Sequence, residues 1–117
     1  MNPLVRAQWC AALRSGDYQQ GEGQLRAADE DTGDYKYCCL GVLTDLAAKA
    51  GVTNWDLARQ LDFPPPAVEG WAELPYHNPE VRVQGVDGAS AASLADLNDD
   101  HGWDFGRIAD AIDGGAS

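Results

Sequence analysis

The sequence predicts an α+β fold: a single small domain in which several short helices pack on a small antiparallel β-sheet, made of a hairpin with a third strand able to join it. Three observations lead there. Apolar residues recur at helical spacing in three separate stretches. An acidic, glycine-containing cluster lies between two alternating apolar and aromatic segments, as in a hairpin. Finally, 117 residues with 44% hydrophobic content and four Trp can bury one core without disulfide or metal staples. The domain is expected to span residues 1–113, with 114–117 as a frayed tail.

The first helix is predicted from Asn2, an N-cap residue, and Pro3, favoured in the first helical position. Val5, Trp9, Ala12 and Leu13 then share one face, and Gly16 ends the run. The segments Tyr18 to Ala28 and Tyr35 to Cys38 flank Asp29-Glu30-Asp31-Thr32-Gly33-Asp34, which reads as the hairpin and its loop. Cys39, Val42, Leu43, Leu46, Ala47 and Ala50 recur at helical spacing, with Asp45 and Lys49 off that face and Gly51 as the stop. This is the expected central helix.

Thr53-Asn54-Trp55-Asp56 resembles a capping box opening a short helix through Leu61. Pro64-Pro65-Pro66 is expected to end that helix and begin a loop rich in Pro and Gly. Within it, Val81 and Val83 alternate with Arg82 and Gln84, so Glu80 to Val86 is a strand that can extend the hairpin sheet. Ser90 to Leu97 forms a short helix with Leu94 and Leu97 inward, Asn98 to Gly102 a turn, and Asp104 caps a last helix with Phe105, Ile108, Ala109 and Ile112 on its apolar side.

Charge narrows the function classes. Nineteen Asp and Glu against eight Lys and Arg give a net charge of -11. Binding to a phosphate backbone needs clustered cations, so direct nucleic-acid binding and anionic membranes are disfavoured. Three cysteines, two of them adjacent, form no regular disulfide framework, and Met1 to Gly16 holds no uninterrupted apolar run for a signal peptide. A cytoplasmic protein is expected.

Several motifs carry candidate chemistry. Cys38 and Cys39 fall where a strand gives way to a helix, a place where a thiol can be activated, and His77 or His101 would be the base of a cysteine-dependent hydrolase or transferase. The plainer reading makes Cys39 a buried apolar residue and Cys38 a sheet residue. Asp96-x-Asn98-x-Asp100 imitates a calcium loop, but its glycine falls one position late and its twelfth position is Arg107. Asp29-x-Asp31 departs similarly, with Gly33 one position early and Leu40 at the twelfth. No metal or cofactor is expected. The last two helices could suggest a helix-turn-helix, but Asp104, Asp110 and Asp113 dominate the second and Arg107 is its only cation. An acidic DNA mimic remains as an alternative, although the carboxylates fall mainly in loops and caps.

Trp9, Tyr18, Gln19, Gln20, Tyr35 and Tyr37, with Arg14 and Arg26, supply the aromatic planes, amides and guanidiniums that a pocket for a planar or phosphorylated ligand requires. Tyr18, Gln20, Arg26, Tyr37 and Asn98 are the leading candidates for binding a small nucleotide-like ligand or a host protein. The chain is also compatible with a homo-oligomer.

Three motifs occur in order: Trp9-x-x-Ala12-Leu13-Arg14-Ser15-Gly16-x-Tyr18-x-Gln20, Tyr37-Cys38-Cys39-Leu40-Gly41-Val42-Leu43, and Leu97-Asn98-Asp99 followed by Phe105-x-x-Ile108-Ala109-Asp110. Together they resemble a family of small uncharacterised proteins encoded by tailed phages and prophages. Val52 to Glu80 belongs to none of the motifs and looks like a variable insert. The resemblance implies an accessory protein in the cytoplasm of an infected bacterium. It supplies no catalytic residues. With no coherent catalytic constellation and with the aromatic, amide and Arg set around the hairpin, the expected function is non-enzymatic binding, either sequestering a host signalling nucleotide or blocking a host protein. The Arg-over-Lys and Ala/Gly/Asp bias fits a phage of a high-GC host such as an actinobacterium.

Overall fold

The computed structural model describes residues 2–58, 61–74, 80–86 and 89–115. The fold is α+β, as the sequence predicts. Helix α1 (Pro3–Arg14) starts where Asn2 accepts the N–H groups of Leu4 and Val5 at 3.0 and 3.3 Å. Its Val5, Trp9, Cys10 and Leu13 are buried, and the chain leaves the helix through Gly16 at φ +80°, a conformation that glycine adopts without strain.

The chain next forms β1 (Gln19–Gln20), β2 (Arg26–Ala28) and β3 (Tyr35–Tyr37). Strands β2 and β3 are the expected hairpin. Its loop is held by Asp29, whose carboxylate accepts the Asp31 N–H at 2.9 Å and lies 3.4 Å from Lys36 Nζ. Strand β1 adds in parallel on the far side of β3, so the order is β1-β3-β2 and β2 is an edge.

Helix α2 (Cys39–Lys49) follows directly and is the centre of the core. Its first two turns are buried nearly all round, because α1, α4, α5 and the hairpin sheet surround them. The expected polar offset of Asp45 is therefore corrected: its residue is only 9% exposed, and it is held inside by hydrogen bonds described below. Ala50, placed by spacing on the inward face, is the exposed C-cap.

The second half departs further from expectation. Helix α3 (Trp55–Ala58) is four residues long and does not reach Leu61. The supposed Pro/Gly loop contains α4 (Pro66–Ala72), in which Pro65 is extended, Pro66 occupies the first turn, and Val68 and Ala72 are buried four residues apart. A proline run that cannot sit inside a helix is well suited to begin one. Strand β4 (Glu80–Val86) is where alternation predicts it, but it pairs antiparallel with β5 (Ala89–Ser93) in a separate two-stranded sheet beside α6 and does not extend the hairpin. Residues 89–93 are consequently strand, and α5 (Leu94–Asp99) begins only at its cap Ser93. Asn98 is therefore helical, with the turn following it. Helix α6 (Phe105–Gly115) has the expected buried face of Phe105, Ile108, Ala109 and Ile112, and Asp104 accepts the Arg107 N–H at 2.8 Å. It continues past residue 113, two residues into the stretch expected to fray.

The N-terminus of α2 is the junction of the fold. Trp9 Nε1 donates to the Cys39 carbonyl at 2.9 Å, and the Cys39 N–H donates to Asn98 Oδ1 at 3.2 Å. Asn98 is fully buried. Its Oδ1 also accepts from Gln20 Nε2 at 2.9 Å, while its Nδ2 donates to the Gly21 carbonyl at 2.8 Å and to Asp99 at 2.7 Å. Two bonds to each end use the full capacity of the carboxamide. Gly41 lies so close to the Leu25 backbone that a Cβ there would stand 1.7 Å from its carbonyl oxygen.

Two substitutions test this junction by urea denaturation. Gly41→Ala should cost about 3 kcal/mol or prevent folding, since the clash is with backbone. Asn98→Ala should cost about 3 kcal/mol by stranding the buried Cys39 N–H and removing the partner of the half-buried Gly21 carbonyl.

Candidate functional site

The hairpin face that carries Arg26, Tyr35 and Tyr37 meets α3 across an open groove of about 700 Å³. In an antiparallel pair, directly opposed residues and those two apart share a face. Arg26 opposite Tyr37 and Ala28 opposite Tyr35 thus stand on the same side. Arg26 reaches diagonally over Tyr35, with its guanidinium carbon 3.9 Å from that ring centroid and 4.3 Å from the Trp55 centroid. The two rings hold the cation by cation–π attraction. Gln24, Ala27, Ala28 and Asp56 complete the lining. Tyr35 is 45% exposed, an open aromatic surface in the groove.

Behind the groove, Trp55 is fixed by a buried carboxylate. Asp45 accepts Trp55 Nε1 at 2.8 Å and the Tyr18 hydroxyl at 2.6 Å, and Lys49 Nζ lies 3.3 Å away. Tyr18 and Tyr37 meet edge to face at 4.9 Å, and Tyr37 meets Trp55 at 6.1 Å. Burial pulls the Asp45 carboxyl upward, but donation by Tyr18 and Trp55 and the Lys49 charge outweigh it and leave its pKa below the ordinary value. Burial likewise raises the Tyr18 and Tyr37 hydroxyls, keeping both protonated.

The sequence-derived candidates divide between these two places. Tyr18, Arg26, Tyr35 and Tyr37 converge on the groove and its support. Gln20 and Asn98 are instead joined to each other in the α2 junction, where Gln20 also donates to the Trp103 carbonyl at 2.6 Å. Trp9 is core, and Arg14 pairs with Asp110 and Asp113 on α6, each at 2.8 Å. Trp55, Asp56 and Asp45 are the residues that sequence reasoning missed. The first two lie in the apparent variable insert, and Asp45 was hidden by its helical offset.

The cysteines have the surroundings of structural thiols. Cys38 is the N-cap of α2 and not a sheet residue; its sulfur accepts the Gly41 N–H at 3.3 Å. Burial pushes its pKa up to about 11 despite the helix N-terminal N–H groups, and burial pushes that of fully enclosed Cys39 well above its ordinary value. Cys39 Sγ donates to the Leu94 carbonyl at 3.5 Å. His101 is exposed in the turn after α5, and His77 lies outside the described residues. Among the described residues no group of three or more His, Cys, Asp or Glu is arranged to hold a metal ion, and no helix is long and apolar enough to cross a membrane.

Fold and groove together define a small α+β domain with an aromatic-held arginine in an open groove and with enclosed thiols. A family model described as a domain of unknown function, DUF8296, matches residues 1–115, and the chain belongs to that family. No curated protein and no solved structure matches it.

Iodoacetamide at pH 8 should leave Cys10, Cys38 and Cys39 unmodified in the folded protein and label all three after unfolding, as read by mass spectrometry. Burial and then Asp113 push the Cys10 thiol up to about 12, which reinforces its inertness. Asp45 contributes stability that is complete above its unfolded-state pKa near 3.8 and is lost as pH falls through its lower folded value. Asp45→Asn should therefore lower the melting temperature at pH 7 and flatten its fall below pH 4, measured by Trp fluorescence.

Proposed function

We propose that this chain is a phage-encoded accessory protein that acts in the cytoplasm of an infected bacterium by binding and blocking a host protein through the Arg26 groove. The observation that carries this reading is the guanidinium of Arg26 held between Tyr35 and Trp55 at an open surface. Trp, Tyr and Arg are enriched at protein-binding hot spots, and the two aromatics present large contact area with only two side-chain torsions each. Holding Arg26 in place beforehand reduces the side-chain entropy lost on binding. Neither Cys38 nor Cys39 supports the hydrolase or transferase alternative, because both thiols are protonated and enclosed.

A host signalling nucleotide is the second reading, favoured by Arg26 as a phosphate donor. Two observations weigh against it. Asp56 is a carboxylate in the same lining, and the ring faces of Tyr35 and Trp55 that meet Arg26 are already covered. The DNA-mimic alternative draws little support, since Asp29, Asp45, Asp110 and Asp113 are paired with cations and Asp104 is a helix cap.

Affinity capture from host lysate tests the proposal. The native chain should retain one discrete host protein, and Arg26→Ala and Tyr35→Ala should each reduce its capture by at least about tenfold, equivalent to about 1.4 kcal/mol. Equal capture by both variants would overturn the groove as the contact surface. Thermal stabilisation by nucleotides or cyclic nucleotides, lost in Arg26→Ala, would establish the second reading instead.

A further inference from the structure

The outer edge of β2 runs along the groove, and its backbone is oriented to accept another strand. The Cys38 N–H donates to the Leu25 carbonyl at 3.3 Å and the Asp29 N–H donates to the Asp34 carbonyl at 2.7 Å. These bonds bracket the register Arg26 with Tyr37, Ala27 with Lys36, and Ala28 with Tyr35. In an antiparallel ladder, alternate residues bond to the partner strand and those between them turn their N–H and C=O groups outward. Ala27 therefore faces β3, while Arg26 and Ala28 present two donors and two acceptors to the groove. Among the described residues no backbone group pairs with these four.

We infer that the groove receives an extended, basic segment of a partner protein, which adds to β2 as a fourth strand of the hairpin sheet. This rests on the proposed protein-binding function and specifies how the contact is made. Backbone pairing supplies the register of such a complex, and neighbouring side chains supply its selectivity. The local charge specifies a basic segment. Among the described residues Arg26 is the cation that lines the groove, whereas Asp56 lines it and Glu30, Asp31 and Asp34 lie exposed in the loop that follows Ala28. Lys36 opposes Asp29 within the hairpin and does not offset the other carboxylates. A strand laid along Arg26 to Ala28 therefore runs toward an acidic end, where lysine or arginine is attracted and glutamate repelled.

The test uses three synthetic nine-residue probes with the full chain: one alternating lysine and valine, its glutamate–valine counterpart, and the lysine–valine sequence N-methylated at its central amides. Titrations are followed by NMR of the backbone amides and by their exchange with solvent. The lysine–valine peptide should shift the Arg26 and Ala28 amides and slow their exchange. Replacing lysine by glutamate, or methylating the amides, should each weaken binding at least tenfold. Ala28→Pro removes one outward N–H without touching the β2–β3 bonds and should weaken binding at least fivefold. Glu30→Lys with Asp31→Lys, on the exposed loop, should weaken it at least threefold.

Equal binding of the methylated peptide, or unprotected Arg26 and Ala28 amides, would overturn strand addition. If that occurs while Arg26→Ala still abolishes host-protein capture, the groove remains the contact surface and only the mode of contact is lost. If the peptide protects both amides but Arg26→Ala leaves capture intact, strand addition stands and the proposed host contact falls.

Discussion

Everything in this domain is arranged around the burial of one helix N-terminus. The first N–H groups of a helix have no partner within it, and at the start of α2 they are enclosed by protein on all sides. The chain supplies partners from distant places. Cys38 accepts from Gly41, and Asn98 reaches from α5 to Cys39. Asn98 in turn ties down Gly21 and Gln20, so β1 is held to α5 by the same carboxamide that satisfies α2. Trp9 binds the Cys39 carbonyl from α1. The three sequence motifs, far apart along the chain, therefore meet in one place, with Gly41 admitting the close approach of Leu25. Their density of unusual residues reflects hydrogen-bond accounting in the core, where an unpaired polar group is expensive.

The groove inherits its rigidity from that core. Asp45 lies in the second turn of α2 and projects toward the hairpin, where it fixes Tyr18 and Trp55 together. Trp55 and Tyr35 then hold Arg26. Desolvation opposes the attractions of this buried carboxylate, but the Tyr18 and Trp55 donors and the Lys49 charge outweigh it. Its effect is positional: it places an indole from α3 beside a guanidinium from β2. The aromatic contacts from Tyr18 through Tyr37 to Trp55 connect the core to the exposed surface by packed side chains.

Several of the nineteen carboxylates behind the net charge of -11 have structural tasks. Asp29 organises the hairpin loop, Asp104 caps α6, and Asp110 with Asp113 binds Arg14 and fastens α6 to α1. Arg14 holds the Asp113 carboxyl below the ordinary range. Exposed pairs like these contribute little to stability individually, but they orient the helices they join. Carboxylates that remain at the hairpin tip give the groove its negative end.

Local pattern alone determined the α+β class, the order of α1, the hairpin, α2, α5 and α6, and most of their inward faces. Each of these depends on periodicity or on caps within a few residues, as Asn2 and Asp104 illustrate. The proline run reads as a stop and a loop, yet α4 starts at Pro66, because proline is as suited to a first turn as to a break. Tertiary structure decided the rest. Strand β4 shows the same alternation whichever neighbour it pairs with, so its place beside β5 is set by packing. Asn98 has the sequence signature of a turn residue, and only its four hydrogen bonds reveal a buried clamp. Trp55 and Arg26 are nearly thirty positions apart, in segments with no shared period. A stacking contact between them leaves no trace in either segment, because its energy arises only when the folded core brings the two planes together.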